Sequence, residues 1–462
     1  MSRWLRWLAY ALLLALLLVT WRQFITMSVV PATRANTWPY SAYWIGPRLA
    51  LEGRADLIYA GPSVYGPEIT RLKVTADLLE VNLPTTFFAF LPLALLPIAD
   101  AFHIWTILSL ACFTVGWIML LRAVRLPIGM ALLLTAIMPL FQPFVDNIVG
   151  QAYLVIFALM TFSFVLSVNA VPTVSSTLVD SRTWRQALGG VLLGVAALIK
   201  LYYGLVLALS AIVRRRYLFL ASGGLVVVAS VLVTALAWGW GPWARAVALS
   251  ITWKDRPETA HTAYQTTNSL LGRLFRYDEE WHPGPVAHLP WLAASLWWLV
   301  TILVVGVTFF ALLRSRKREG SVVMPTPAWS LLEPAATVPL ASALAPVAEG
   351  YHYALCIFPA VVIIAVLYDA WRGWLPVRRL PRGLLAMSAG LLLSLVLLGA
   401  DWRYNVARAD GWEILRHYPR LYGGLLLWLM AVVLLIRPDV CYTQRGHSEA
   451  KPLPEWALTP GD

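Results

Sequence analysis

The sequence predicts an all-α polytopic membrane protein, and three observations carry that expectation. Of the 462 residues, 59% are hydrophobic and only 13% charged, a balance well outside that of soluble globular domains. The apolar residues gather in runs, many of them near the roughly 20 residues that a helix needs to cross a bilayer core. Lys and Arg outnumber Asp and Glu by 36 to 24, and they sit in small clusters at the ends of apolar runs, as cytoplasmic loops do. The net charge of +12 therefore reads as a topology signal, and no nucleic-acid partner is expected.

Arg3 and Arg6 precede an apolar run at residues 8–20. No small-x-small cleavage site follows it, which favours an uncleaved first helix over a secretory signal. Residues 31–83 carry Glu52, Asp56, Glu68, Asp77 and Glu80 and form a first external loop, within which residues 42–51 suit an amphipathic helix on the membrane surface. Residues 84–97 are too short to span and contain Pro92, so a partial or re-entrant segment is expected. Residues 102–121 then cross to Arg122 and Arg125 on the inner side, residues 128–145 cross back, and residues 148–168 return to a loop with Arg182 and Arg185.

The charges force the next step. Arg185 and the run Arg214, Arg215, Arg216 both read as cytoplasmic, so an even number of crossings separates them. Two tight helices at residues 187–199 and 201–213 satisfy this and put Lys200 at an outer turn. Residues 217–238 go out, residues 239–290 form a second large external loop, and residues 291–313 return to Arg314, Arg316, Lys317 and Arg318. Residues 329–346 go out, residues 353–368 come in to Arg372, Arg378, Arg379 and Arg382, and residues 384–398 and 422–436 form the last pair. The sum is about 12 crossings in one integral membrane domain over residues 1–436, with a polar, Pro-rich tail at 437–462 expected to be disordered. Both termini are expected in the cytoplasm. Most acids fall in the loops assigned outward, whereas the inner junctions hold Asp180, Glu319 and Asp369. Cys112, Cys356 and Cys441 have no metal-ligand spacing, and no metal or cofactor is expected.

Six stretches recur in a recognisable order: YWIGPRLALEGRADLIY at 43–59, LPTTFFAFLPLALLP at 83–97, GQAYL at 150–154, ALIKLYYGLVL at 197–207, NSLLGRLF at 268–275 and EGYHYALCIFP at 349–359. Together they resemble glycosyltransferase family 87, polytopic enzymes of the GT-C type, over most of residues 40–360. The resemblance implies a GT-C-like helical bundle with long external loops in the cell membrane. It also implies inverting transfer of a hexose, mannose being expected, from a polyprenyl-phosphate donor to a lipid or glycan acceptor on the outer face. Two places depart from the pattern. The family's Tyr-Pro-Pro before the partial helix is reduced here to Leu83, Pro84, Thr85. Where the family carries an Asp that acts as general base, this chain has Pro39.

Transfer from a phosphate-linked donor needs a base near the acceptor hydroxyl and positive charge near the leaving phosphate. Asp146, at an outer junction, is the favoured base over Glu52, Asp56 and Glu349; the competing reading is an N-cap of the turn that follows it. Lys200 is the leading phosphate ligand, against a snorkelling lysine. His352 matches a family histidine and is assigned to phosphate contact or proton relay, and Arg48 matches a family arginine expected to help hold phosphate. Gln151, Asn268 and Glu349 are candidate acceptor or sugar contacts, with Asn268 and Ser269 alternatively capping a loop helix. Glu333, in an otherwise apolar run, reads as a first-turn acid at a helix N-terminus. Two other classes compete with the enzyme: a lipid-linked-sugar transporter, disfavoured because no internal repeat is visible, and a silent family relative serving as a partner subunit.

Overall fold

The computed structural model describes residues 3–34, 38–74, 82–168, 179–318, 327–374, 381–400 and 410–440. Among these residues the secondary structure is helical, with two isolated bridges and no longer strand. The first part holds α1 (Arg3–Phe24), α2 (Val30–Arg34), α3 (Trp38–Leu51), α4 (Pro62–Leu72) and α5 (Pro84–Ala94). Then come α6 (Ile98–Val124), α7 (Ile128–Ile137), α8 (Gln142–Val145), α9 (Tyr153–Val168), α10 (Val179–Ile199), α11 (Leu201–Val213) and α12 (Tyr217–Trp238). The remainder is α13 (Trp240–Thr252), α14 (Thr267–Phe275), α15 (Pro290–Arg318), α16 (Pro327–Ser330), α17 (Leu332–Ala343), α18 (Ile357–Trp374), α19 (Arg382–Gly399) and α20 (Pro419–Ile436).

Seven helical stretches of the described residues are long and apolar enough to cross a membrane, or eight if the bent α7–α8 pair is one span. Residues 84–94 and 153–168 and the α10–α11 pair add shorter apolar helices. The chain is thus an all-α polytopic membrane protein. The break at Lys200 and the short α5 fall where the sequence placed them, but α10 begins at Val179 and takes in Arg182 and Arg185, residues expected in a loop.

Three further expectations are corrected. Residues 128–145 are not one straight crossing: the chain bends by 66° between α7 and α8. Pro139 and Pro143 each lack an amide to continue the helical ladder, and Phe141 between them takes extended backbone. Residues 42–51 are helical, but α3 is mostly buried within the protein rather than half-exposed as an amphipathic helix would be. It buries Tyr40, Tyr43, Trp44, Ile45 and Leu49 in the core and packs on α5. Residues 329–346, expected to cross, form α16 and the twelve-residue α17. At 1.5 Å per residue α17 is about 18 Å long, short of a bilayer core, and all its residues are buried among α11, α18 and α20.

Close packing depends on small residues, as it does when the surrounding lipid offers no hydrophobic drive for helices to associate. Along α10, a Cβ at Gly190 would strike the Phe219 carbonyl and one at Gly194 the Gly223 carbonyl, both on α12. α10 consequently sits flush between α9 and α12, and its C-terminal end carries Lys200 into the polar centre of the molecule.

Candidate functional site

Lys200 is placed by a clamp at a helix end. α10 stops at Ile199, Lys200 is extended (φ −147°), and α11 starts at Leu201. The last carbonyls of a helix lack intrahelical partners. Here Thr85 donates to the Leu198 carbonyl at 3.2 Å, and Thr86 donates to the Leu198 and Ile199 carbonyls at 3.0 Å each. The short α5 therefore exists to hold this break. Lys200 Nζ donates to Asn82 Oδ1 at 2.9 Å and lies 5.8 Å from the centre of the Tyr43 ring, within cation–π range. Burial pushes its ammonium down to about 8, and the charge of Glu349 opposes that shift.

The second wall is the bent connection after α8. Asp146–Val149 is a 3-10 turn closed by Gly150 at φ 104°. An L side chain disfavours that conformation, and a Cβ there would also strike Tyr40. The turn directs Gln151 inward, where its Oε1 accepts from Tyr43 at 3.1 Å. Asn147 Nδ2 donates to the Pro143 carbonyl at 2.7 Å and to the Tyr351 carbonyl at 3.0 Å. The Asp146 carboxylate does not cap the turn. Its Oδ1 accepts from Gln142 Nε2 at 2.7 Å, and its Oδ2 accepts from Arg420 Nη1 at 3.1 Å. The capping reading is replaced by an ion pair, because α20 begins within reach and brings a buried guanidinium.

Glu349 and His352 form the third wall. Gln265 N donates to the Ala348 carbonyl at 2.8 Å, Tyr264 and Glu349 form an isolated bridge, and a 3-10 segment follows at Gly350–Cys356. Tyr351 Oη donates to Glu349 Oε1 at 3.0 Å. Burial raises the Glu349 carboxyl above its ordinary range; the Tyr351 bond and the Lys200 charge oppose this, and the Asp146 charge adds to it. Arg420 packs over Gly350 so closely that a Cβ there would collide with its guanidinium. The His352 ring lies 4.3 Å from Tyr153 and stacks on Tyr351 at 4.6 Å. Its Nδ1 is buried and has no hydrogen-bond partner among the described residues.

Lys200, Asp146, Gln151, Glu349 and His352 thus line one polar centre. Arg48 does not join them. Its Nε pairs with Glu52 Oε1 at 2.9 Å and its guanidinium stacks on Trp44, in a network that runs on through Arg71 to Glu68 and Arg54. Hydrogen bonds from Arg71 and Arg54 hold Glu68 below the usual carboxylate range. Glu52 is neutralised in the same network, and Asp56 is exposed. Asn268 is also engaged elsewhere: its Nδ2 donates to the Lys254 and Pro346 carbonyls at 3.2 and 3.3 Å. Thr266, not Asn268 or Ser269, caps α14 by accepting from Ser269 N at 3.0 Å. Glu333 is indeed in the first turn of α17, and it forms a two-pronged ion pair with Arg214, whose Nε donates to Oε2 at 2.6 Å. Cys441 and Arg379 lie outside the described residues.

Sequence reasoning missed Asn82, Tyr351 and Arg420 as site residues. Arg420 left one usable signal, a lone cation directly behind Pro419 at the head of the last apolar run. Beside this polar centre, an apolar cavity of about 350 Å³ opens between α6, α7, α18 and α19, with Trp117, Met138, Phe141, Ile357, Ile364 and Leu395 in its walls. Phe141 directly precedes α8, which leads into the turn with Asp146, and Ile357 directly follows the 3-10 segment that carries His352.

The sequence profile of glycosyltransferase family 87 matches residues 82–338, more than half of the chain. The chain belongs to glycosyltransferase family 87. It is a membrane glycosyltransferase. No curated protein and no solved structure matches it. The family 87 match contains Asn82, Asp146, Gln151 and Lys200, whereas Glu349, His352 and Arg420 lie past its end and complete the centre by folding back onto it.

Proposed function

We propose that this family 87 glycosyltransferase moves a hexose, with mannose the expected sugar, from a polyprenyl-phosphate donor to a lipid or glycan acceptor on the outer face of the cell membrane. The observation that carries this reading is the juxtaposition of one ammonium, Lys200, with two carboxylates, Asp146 and Glu349, next to an apolar cavity. A phosphate leaving group gathers negative charge as its bond to the sugar C1 breaks, and a positioned cation stabilises that charge most where water is scarce. Lys200 is the ligand for that phosphate, and Asn82 and Tyr43 hold its side chain in place. The cavity suits an isoprenoid tail: its walls are apolar, and they include Phe141 and Ile357, which lie five residues in sequence from Asp146 and His352, respectively. His352, stacked on Tyr351 with a buried Nδ1 that has no hydrogen-bond partner among the described residues, is the candidate phosphate contact or proton relay. Gln151 is a sugar contact.

In this reading residues 1–436 are a single membrane domain, both termini face the cytoplasm, and residues 31–83 and 239–290 lie outside. Proteoliposomes holding the purified protein and a radiolabelled polyprenyl-phosphate mannose test it. Appearance of label in a lipid or glycan product, absent with Lys200→Ala, is the expected result. Movement of intact donor across the bilayer without sugar transfer would instead make the chain a transporter.

A further inference from the structure

Transfer to a hydroxyl needs a proton acceptor. Among the described residues two carboxylates face the polar centre, and their surroundings differ. Asp146 has both oxygens engaged, one by Gln142 and the other by the buried guanidinium of Arg420. A carboxylate paired in this way is a weak base, because protonating it gives up its charge attraction to the guanidinium.

Glu349 is arranged otherwise. Its Oε1 accepts one hydrogen bond, from the Tyr351 hydroxyl at 3.0 Å, and Oε2 accepts none among the described residues. The residue as a whole is partly buried. Its backbone is pinned by the bridge to Tyr264, by the Gln265 amide on the preceding carbonyl, and by the His352 amide on its own carbonyl at 3.0 Å. Lys200 and Glu349 act on each other electrostatically within the same polar centre.

We propose that Glu349 is the general base of the transfer, with Oε2 facing the acceptor and Tyr351 fixing Oε1. This rests on the transferase reading above. The acceptor O–H proton passes to Oε2 as the acceptor oxygen forms its bond to the sugar C1. The bond from C1 to the phosphate oxygen breaks on the opposite face, and its electron pair stays on the phosphate beside Lys200. The configuration at C1 inverts, and Glu349 then releases its proton to water. Burial, which raises the Glu349 carboxyl, makes it a stronger base than a solvated glutamate.

The test compares wild type, Glu349→Gln and Glu349→Asp in proteoliposomes with labelled polyprenyl-phosphate mannose, measuring kcat, donor binding and thermal stability. Glu349→Gln keeps the shape and an oxygen for Tyr351, so it should retain Tm and donor binding and lose about 10²- to 10⁴-fold in kcat, with partial recovery in Glu349→Asp. A Glu349→Gln variant with kcat within a few-fold of wild type would overturn the assignment while leaving the transferase reading standing. Equal losses of donor binding and rate would overturn it as well, by making Glu349 a charge partner of Lys200. If wild type transfers no sugar from this donor, both fall together.

Discussion

Arg420 reaches from the first turn of α20 to the carboxylate of Asp146, Nη1 to Oδ2 at 3.1 Å, across 274 residues of sequence. The guanidinium side chain is 4% exposed and the carboxylate 29%. This contact fastens the last helix to the bent turn after α8, and it assigns Asp146 a structural task at the rim of the site.

Removing Asp146 should therefore cost stability. Asp146→Ala leaves a buried arginine short of its counter-charge, and breaking such a pair costs roughly 3–5 kcal/mol when fully buried and less here because the carboxylate is partly wet. Asp146→Asn keeps an acceptor oxygen and should fall between wild type and alanine. Thermal unfolding in detergent checks the order. Lost transfer with an unchanged Tm in Asp146→Asn would return the role of base to Asp146.

Lys200→Ala should weaken use of the donor far more than it alters folding. A charge-assisted hydrogen bond is worth about 1.5–3 kcal/mol, which corresponds to roughly ten- to more than a hundred-fold in affinity. The effect should appear in donor KM at limiting donor. A normal transfer rate under those conditions removes the phosphate-site assignment.

The donor interaction should also depend on pH. Burial has pushed the Lys200 ammonium down to about 8, so it is charged below that pH and loses its proton as pH rises through it. Donor affinity should fall along the same limb. Lys200→Arg, whose guanidinium stays charged, should abolish that alkaline limb even if its overall affinity is lower. The groups acting on Lys200 are Asn82, the Tyr43 ring and Glu349. Persistence of the limb in Lys200→Arg would assign the titration to another group.

The Arg214–Glu333 pair ties α17 to the end of α11, with side chains 13% and 7% exposed. Glu333→Ala alone should destabilise, by up to about 3–5 kcal/mol, because it removes the carboxylate from a two-pronged pair with a largely buried arginine. Replacing both with apolar residues of similar size should cost much less. Additive losses in this double-mutant cycle would mean that the two residues do not act as a pair.

Topology is open to direct labelling. On a background lacking Cys112, Cys356 and Cys441, single cysteines at Asp56 and Glu280 should react with an impermeant reagent from outside, whereas one at Arg316 should not. Outside labelling at Arg316 reverses the proposed orientation.

The sequence by itself determined that this is a helical membrane protein. Hydropathy reports which segments avoid water, and the even-crossing argument from Arg185 and Arg214–Arg216 correctly split residues 187–213 into two helices with Lys200 between them. Both are local or one-dimensional signals, so they survive without a fold. Tertiary structure decided which polar residues meet. Arg48 and Lys200 look alike as lone cations in matched motifs, yet Arg48 is neutralised by Glu52 while Lys200 faces the polar centre. Asp146 looked like a cap and turned out to be paired with Arg420, and Glu349 kept an oxygen free. Arg48 and Glu52 are at helical i,i+4 spacing, but Arg420 is 274 residues from Asp146 and Asn82 is 118 from Lys200, and no periodicity encodes those contacts; they follow from where the bend at Phe141, the clamp by Thr85 and Thr86, and the start of α20 bring the backbones.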